Sequence, residues 1–348
     1  MKMDHEDEKG IEKRSVKVDY RKHYRIFLTL FLLSFCLNLF FLTLYLIEKV
    51  SRPLFLREGK EAKEFRKDGK TKGMVPVPIL HNKNEEYVLL CEKVSKTLHL
   101  YHSEQNTFSL IKSYPCIVGS NHVDKKKAGD LATPEGIYFL LSFLSGKSLP
   151  EKYGDGAFSL NYPNFLDQME GKKGSGIWLH GFPDHTDPPL HSEGCIVVEN
   201  EVLRELMRFI KVGDTPLVIV DSIKYQSQEN RLTLVHQLTD FLGNWEGAWE
   251  SLDTERYLSF YSQDFMNSEG MNYQRFKEHK TRVNQYKKFI KLEIEPKSFL
   301  LSQKDHGKIA VIRINQGYRS DNFNHYTRKV LYLDEEQGQW KIVGDAAF

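Results

Sequence analysis

The sequence predicts a mainly β domain followed by an α+β domain, both behind one N-terminal transmembrane helix. Three observations carry this. Residues 26–47 are 22 residues without a charge. From 86 to about 222 the chain breaks into short apolar or alternating runs separated by turn residues. From 231 an apolar period of helical spacing opens a segment that ends in strand-like runs.

The apolar run comes first. At about 1.5 Å per residue it matches a hydrocarbon core of about 30 Å. A cleaved signal peptide has a shorter apolar region that ends in small residues. Here the run ends in Leu46-Ile47-Glu48-Lys49, so it reads as an uncleaved anchor. Basic residues flank both ends, among them Arg21, Lys22 and Arg25 before it and Lys49, Arg52 and Arg57 after it. The positive-inside rule is therefore silent. Large C-terminal domains cross regardless of flanking charge, which leaves residues 1–25 cytoplasmic. Taken with the function implied below, the expected location is the cytoplasmic (inner) membrane, single-pass, with the body in the periplasm or otherwise outside the cytoplasm. Residues 48–85, rich in Lys, Glu, Gly and Pro, read as a solvated linker.

The first domain, 86–222, begins with the apolar run Tyr87 to Cys91. The alternating Thr97 to His102 follows, as a half-buried strand should. Ser109 to Val118, Gly136 to Leu141 and Ile177 to His180 are further strands. Val202 to Ile210 is a short helix, and Pro216 to Val220 closes the domain. Many short strands and few helices imply a β-sandwich or barrel-like sheet. Ser222 to Asn230 is a polar hinge. In the second domain, 231–348, Leu234, Leu238, Phe241, Leu242, Trp245, Ala248, Trp249 and Leu252 recur at helical spacing, and the Trp245/Trp249 stripe is core. Strands are expected at 289–294, 309–314, 330–333 and 340–343.

The formal net charge of +2 and the lack of a basic-plus-aromatic motif argue against nucleic acid. Of four cysteines, Cys36 lies in the apolar span, and Cys91 and Cys116 lie in strand-like runs. Two buried thiols are the plainer reading of that pair; in an exported chain a disulfide is the alternative. Cys195 differs. It ends Ser192-Glu193-Gly194-Cys195, fifteen residues after the histidine of Ile177-Trp178-Leu179-His180-Gly181. A thiol becomes a strong nucleophile when a base takes its proton, and imidazole titrates near neutrality. Gly194 lets the backbone turn tightly and aim N–H groups at a reacting carbonyl. A zinc site from His180, His185, His191 and Cys195 is the rival. The segment between them, Phe182 to Pro189, is a Pro-rich loop rather than a helix presenting ligands on one face. No metal and no cofactor are assigned.

Four blocks in order then carry a family resemblance. They are Gly129-Asp130-Leu131-Ala132-Thr133-Pro134-Glu135-Gly136, Asn161-Tyr162-Pro163-Asn164, Gly176 to Gly181, and Ser192 to Cys195. Residues 86–222 resemble the YkuD-type L,D-transpeptidase domain of bacterial cell-wall enzymes. The resemblance implies a YkuD-like β-sandwich, Cys195 as nucleophile and His180 as base. It also implies that the Gly181 carbonyl orients the imidazole, that backbone N–H groups near Gly194 and Cys195 form an oxyanion hole, and that Ser192 supports the loop or touches substrate. Thr133 to Gly136 would shape the sheet edge. The commonest family motif has a His before the Gly-Cys pair and an Arg two residues after the Cys; here they are Glu193 and Val197. That variant resembles a subgroup with a C-terminal SnoaL-like domain that includes L,D-carboxypeptidases of helical bacteria. Residues 231–348 resemble that cone-shaped domain through Phe241 to Glu250, Tyr257 to Ser262, Gln316 to Ser320 and Gln339 to Val343. No acid–base pair is assigned there, and the basic stretch Lys277 to Lys291 reads as a solvated helix face, with anionic wall polymer as the rival partner.

The implied partners are peptidoglycan stem peptides and, through one helix, the membrane; protein partners are not specified. The implied activity is L,D-transpeptidation through a thioester at Cys195, in wall remodelling and cell shape. L,D-carboxypeptidase action on the same thioester is the alternative, and a non-catalytic wall-binding protein the second.

Overall fold

The computed structural model describes residues 74–82, 86–104, 107–304 and 307–347. The expected cytoplasmic segment 1–25 and membrane span 26–47 lie outside these residues. Among the described residues no helix is long and apolar enough to cross a membrane. The end of the expected linker is not a tether. Met74–Pro76 (β1) and Ile79–Asn82 (β2) are strands, and Ile79 and Leu80 are fully buried. With two apolar residues each side of a Pro-rich turn, this stretch has no period long enough to read.

The first domain contains β3 (Glu86–Glu92), β4 (Thr97–Glu104), β5 (Thr107–Pro115), β6 (Gly136–Ser145), β7 (Gly156–Leu160), helix α1 (Phe165–Met169), β8 (Trp178–His180), β9 (Ile196–Val197), helix α2 (Asn200–Leu206) and β10 (Pro216–Val220). Its eight strands form one sheet in the order β5-β4-β3-β10-β6-β7-β8-β9. The sheet curls until its ends meet. Ile117, just past β5, exchanges both backbone hydrogen bonds with Val197 of β9, at 2.8 and 2.9 Å. Leu89, Cys91, Leu98, Leu100, Tyr138, Leu179, Ile196 and Leu217 fill the interior.

The expected polar hinge instead holds a strand, β11 (Tyr225–Ser227), paired with β1. The second domain follows: α3 (Gln228–Glu250), α4 (Thr254–Leu258), β12 (Tyr261–Asn267), α5 (Tyr273–Gln285), β13 (Ile290–Lys304), β14 (Gly307–Ser320), β15 (Asn324–Glu336) and β16 (Gln339–Ala347). Ser227 caps α3 by accepting from the Asn230 N–H. The sheet runs β12-β16-β15-β14-β13-β2, so β2, from ahead of the first domain, completes its edge.

Side-chain alternation along these long strands builds a layered molecule. Phe299, Leu301, Ala310, Ile312, Leu331 and Leu333 face α3 and its Leu238, Trp245 and Trp249. Their alternates Leu300, Val311, Val330 and Tyr332 face Val88, Leu90, Ile137, Phe139 and Val218 of the first sheet. Strands β3 and β10, a parallel pair, are thus covered on both faces. That is why Tyr87 to Cys91 and Pro216 to Val220 are continuously apolar rather than alternating. Burying each such side chain contributes roughly 1.5–3 kcal/mol.

Candidate active site

The register of two short strands places the predicted pair on one face. Strands β8 and β9 are parallel, with Leu179 opposite Ile196 and His180 opposite Val197. Paired residues share a face, and side chains alternate. Leu179 and Ile196 point into the core. His180, Val197 and, two residues back, Cys195 therefore share the other face. His180 ends β8 and Cys195 immediately precedes β9.

His180 is buried, and its Nδ1 lies 2.6 Å from the Gly181 carbonyl oxygen. A carbonyl only accepts, so Nδ1 carries the proton and Nε2 presents a lone pair. Burial holds the imidazole below its ordinary value, the Gly181 bond opposes that, and the Lys152 charge lowers it further. The Cys195 thiol is partly buried, and Sγ lies 3.6 Å from the Gly176 carbonyl oxygen. Burial pushes this thiol up, while a backbone hydrogen bond from Trp178 and the Lys152 charge pull it down. Burial thus favours the neutral form of each group, the thiol and the imidazole.

Ser192 staples the loop. Its Oγ donates to the Cys195 carbonyl at 2.6 Å and accepts the Gly194 N–H at 3.1 Å. The Gly194 N–H, one of the expected oxyanion donors, is the group that Ser192 Oγ engages here. Gly194 itself is dictated by shape. Its φ is 130°, and a Cβ there would lie 2.7 Å from the Ala132 carbonyl oxygen. The Gly129 to Gly136 block is the scaffold beneath. Thr133 Oγ1 accepts the Gly119 N–H at 2.8 Å, and Ser192 N–H donates to the Val118 carbonyl at 2.9 Å. Asp130 pairs with Lys125 at 2.6 Å and accepts three backbone N–H groups, which holds its carboxyl well below the usual range.

A second wall was not legible in the sequence. The 3-10 turn Glu151–Tyr153 brings Tyr153 against His180, edge-on at 4.9 Å, and against Trp178 at 5.0 Å. Asn200, buried at the start of α2, fixes this turn by accepting the Asp155 N–H at 2.9 Å. A Cβ at Gly181 would lie 2.1 Å from the same Asn200 Oδ1. Gly154, Gly181 and Asn200 were the available signals, but they are far apart in sequence. His185 and His191 stay on the exposed loop between the two strands.

The L,D-transpeptidase catalytic domain (YkuD) matches residues 86–220, and the Cds6 C-terminal NTF2-like domain matches residues 237–346. The structure of Bd1075 from Bdellovibrio bacteriovorus is 32% identical with a TM-score of 0.67, over 79% of this chain and 98% of that one. The chain belongs to the YkuD L,D-transpeptidase family. Pgp2 of Campylobacter jejuni, a helical cell shape determining protein, is 26% identical with a TM-score of 0.65, over 78% of this chain and 94% of that one. No curated protein matches the chain in sequence.

The NTF2-like domain of this family member is the SnoaL-like domain the sequence suggested. A pocket of about 220 Å³ in it is lined by Trp249, Tyr257, Phe276, Lys280, Lys329 and Asp345, among others. Lys280 Nζ sits 4.3 Å over the Trp249 ring, and burial with the Lys329 charge pushes its ammonium down to about 7. In the basic stretch, Lys277 pairs with Glu255, and Lys291 with Glu250.

Proposed function

We propose that the chain is a cysteine-dependent acyl-transfer enzyme acting on peptidoglycan stem peptides. One observation carries the reading: within a YkuD domain, Cys195 shares a face with a His180 whose Nε2 is left basic by the Gly181 carbonyl. Cys195 Sγ attacks the carbonyl carbon of the L-centre that precedes a terminal D-alanine. His180 Nε2 takes the thiol proton and passes it to the departing amine nitrogen as the C–N bond breaks. D-alanine leaves, and the acyl group remains on Cys195 as a thioester. The Cys195 N–H is the backbone donor adjoining the thiol for the oxyanion. In the L,D-transpeptidase reading an amine then attacks the thioester, the C–S bond breaks, and the thiol regains its proton.

A second reading passes the same acyl group to water, which is L,D-carboxypeptidase action. Val197 favours it. This residue is apolar and buried on the site's face, where the common motif has an arginine that could hold a substrate carboxylate bidentately. The likeness to Pgp2 supports a role in cell shape. The apolar run 26–47 supports a membrane anchor, and a peptidoglycan substrate supports a cytoplasmic-membrane location with the body outside the cytoplasm.

Incubation of the purified protein with disaccharide tetrapeptide, followed by mass spectrometry, separates these readings. Loss of D-alanine alone marks the carboxypeptidase, and a crosslinked dimer marks the transpeptidase. Cys195→Ala is expected to abolish either product. Folded wild-type protein that leaves the substrate intact would instead favour a non-catalytic wall-binding role.

A further inference from the structure

The turn that packs on His180 also carries an exposed cation, Lys152, with no assigned role. Its Nζ lies 5.1 Å over the Tyr153 ring, and that ring lies 4.9 Å from the His180 ring. The ammonium is thus held at the site's mouth by an aromatic surface. The turn is fixed from several sides. The Asp155 N–H bonds Asn200, the Asp155 carbonyl accepts the Gly146 N–H at 2.9 Å, and the Asp155 carboxylate pairs with Arg204.

The other cations nearby are spent. Lys125 is buried on Asp130 at 2.6 Å, and Arg204 is engaged by Asp155. Lys152 has no carboxylate partner among the described residues. The strand supplies no positive charge either, because Val197 occupies the position beside His180. Lys152 also acts electrostatically on both reacting groups, which places its charge at the site.

We propose that Lys152 binds the carboxylate of the departing residue, so that the site selects stem peptides with a free carboxyl terminus. This rests on the acyl-transfer reading above. The anion ends the substrate a few bonds beyond the scissile carbonyl, and a single point charge suffices to hold it. A transpeptidase or carboxypeptidase built this way acts on chain ends and spares peptides whose terminus is amidated or extended.

The test compares two tetrapeptides identical except for a terminal carboxylate or carboxamide, with wild type, Lys152→Gln and Lys152→Arg. Lys152 is exposed, so the variants should fold as wild type does. Wild type is expected to favour the carboxylate about tenfold in kcat/KM, chiefly through KM. Lys152→Gln should level the two substrates, and Lys152→Arg should restore the preference. Full preference retained by Lys152→Gln overturns the assignment and leaves the acyl-transfer reading standing. Wild type that turns over neither peptide overturns both.

Discussion

The Gly181 carbonyl decides which nitrogen of His180 is basic, and burial decides when. Protonation of Nε2 removes the base that takes the thiol proton, so activity falls as pH drops through the His180 value. Burial and the Lys152 charge hold that value below the ordinary 6.5. The acid limb of kcat/KM is therefore expected below 6.5, with thiol titration, pushed up by burial, forming the alkaline limb. Lys152→Gln should move the acid limb upward, because it removes one of the charges that lowers His180. A kcat/KM profile with its acid limb above the ordinary histidine value would contradict the neutral-pair arrangement. This pair was legible in the sequence because both members sit in short motifs that set their own backbone. Lys152 was not, because nothing local ties it to His180.

At the scale of elements, the site is a junction of one strand end, one loop and one 3-10 turn. The turn is held from 45 residues away by Asn200 Oδ1. Removing that acceptor leaves the Asp155 N–H unsatisfied, which costs about 1–3 kcal/mol. Asn200→Ala is thus expected to lower the unfolding midpoint and also to lower activity by freeing Tyr153 from His180. Gly181→Ala should do more harm alone, since its Cβ falls on the Asn200 amide. The two share one contact, so the double variant is expected to lose less than the sum of the singles. Thermal unfolding and turnover of all three proteins check this; strictly additive losses would show that the contact is not shared. Sequence patterning located β3, β8 and β10 and the helical stripe of α3. It missed β1, β2 and β11, which are three or four residues long and gain their order from partners distant in the chain.

The whole molecule is held together by exchange of elements as well as by contact. Strand β2 precedes the first domain yet pairs with β13 of the second, and buried Arg231 of α3 donates to the Leu80 carbonyl of β2. The sheet-on-sheet layer leaves the first domain's central strands with no solvent face. The continuous apolar runs announced double burial, but nothing in them said that the covering surface would be the second domain. At the rim of that layer Arg313 of β14, buried and 5.0 Å over the Phe139 ring, reaches Asp214 of the first domain at 2.5 Å. Asp214 remains partly exposed, and Arg328 lies 3.6 Å from it, so Arg313→Ala strands no fully buried charge. The loss is therefore expected at about 1–3 kcal/mol rather than the larger penalty of an orphaned ion. Two domains that share a strand and a core layer should unfold together, so the variant should shift one common transition to lower denaturant. Trp178 reports on the first domain, and Trp245, Trp249 and Trp340 on the second. Fluorescence of proteins retaining one or the other set measures whether the two transitions coincide. Separate midpoints in the wild type would show that the shared strand and layer do not couple the domains.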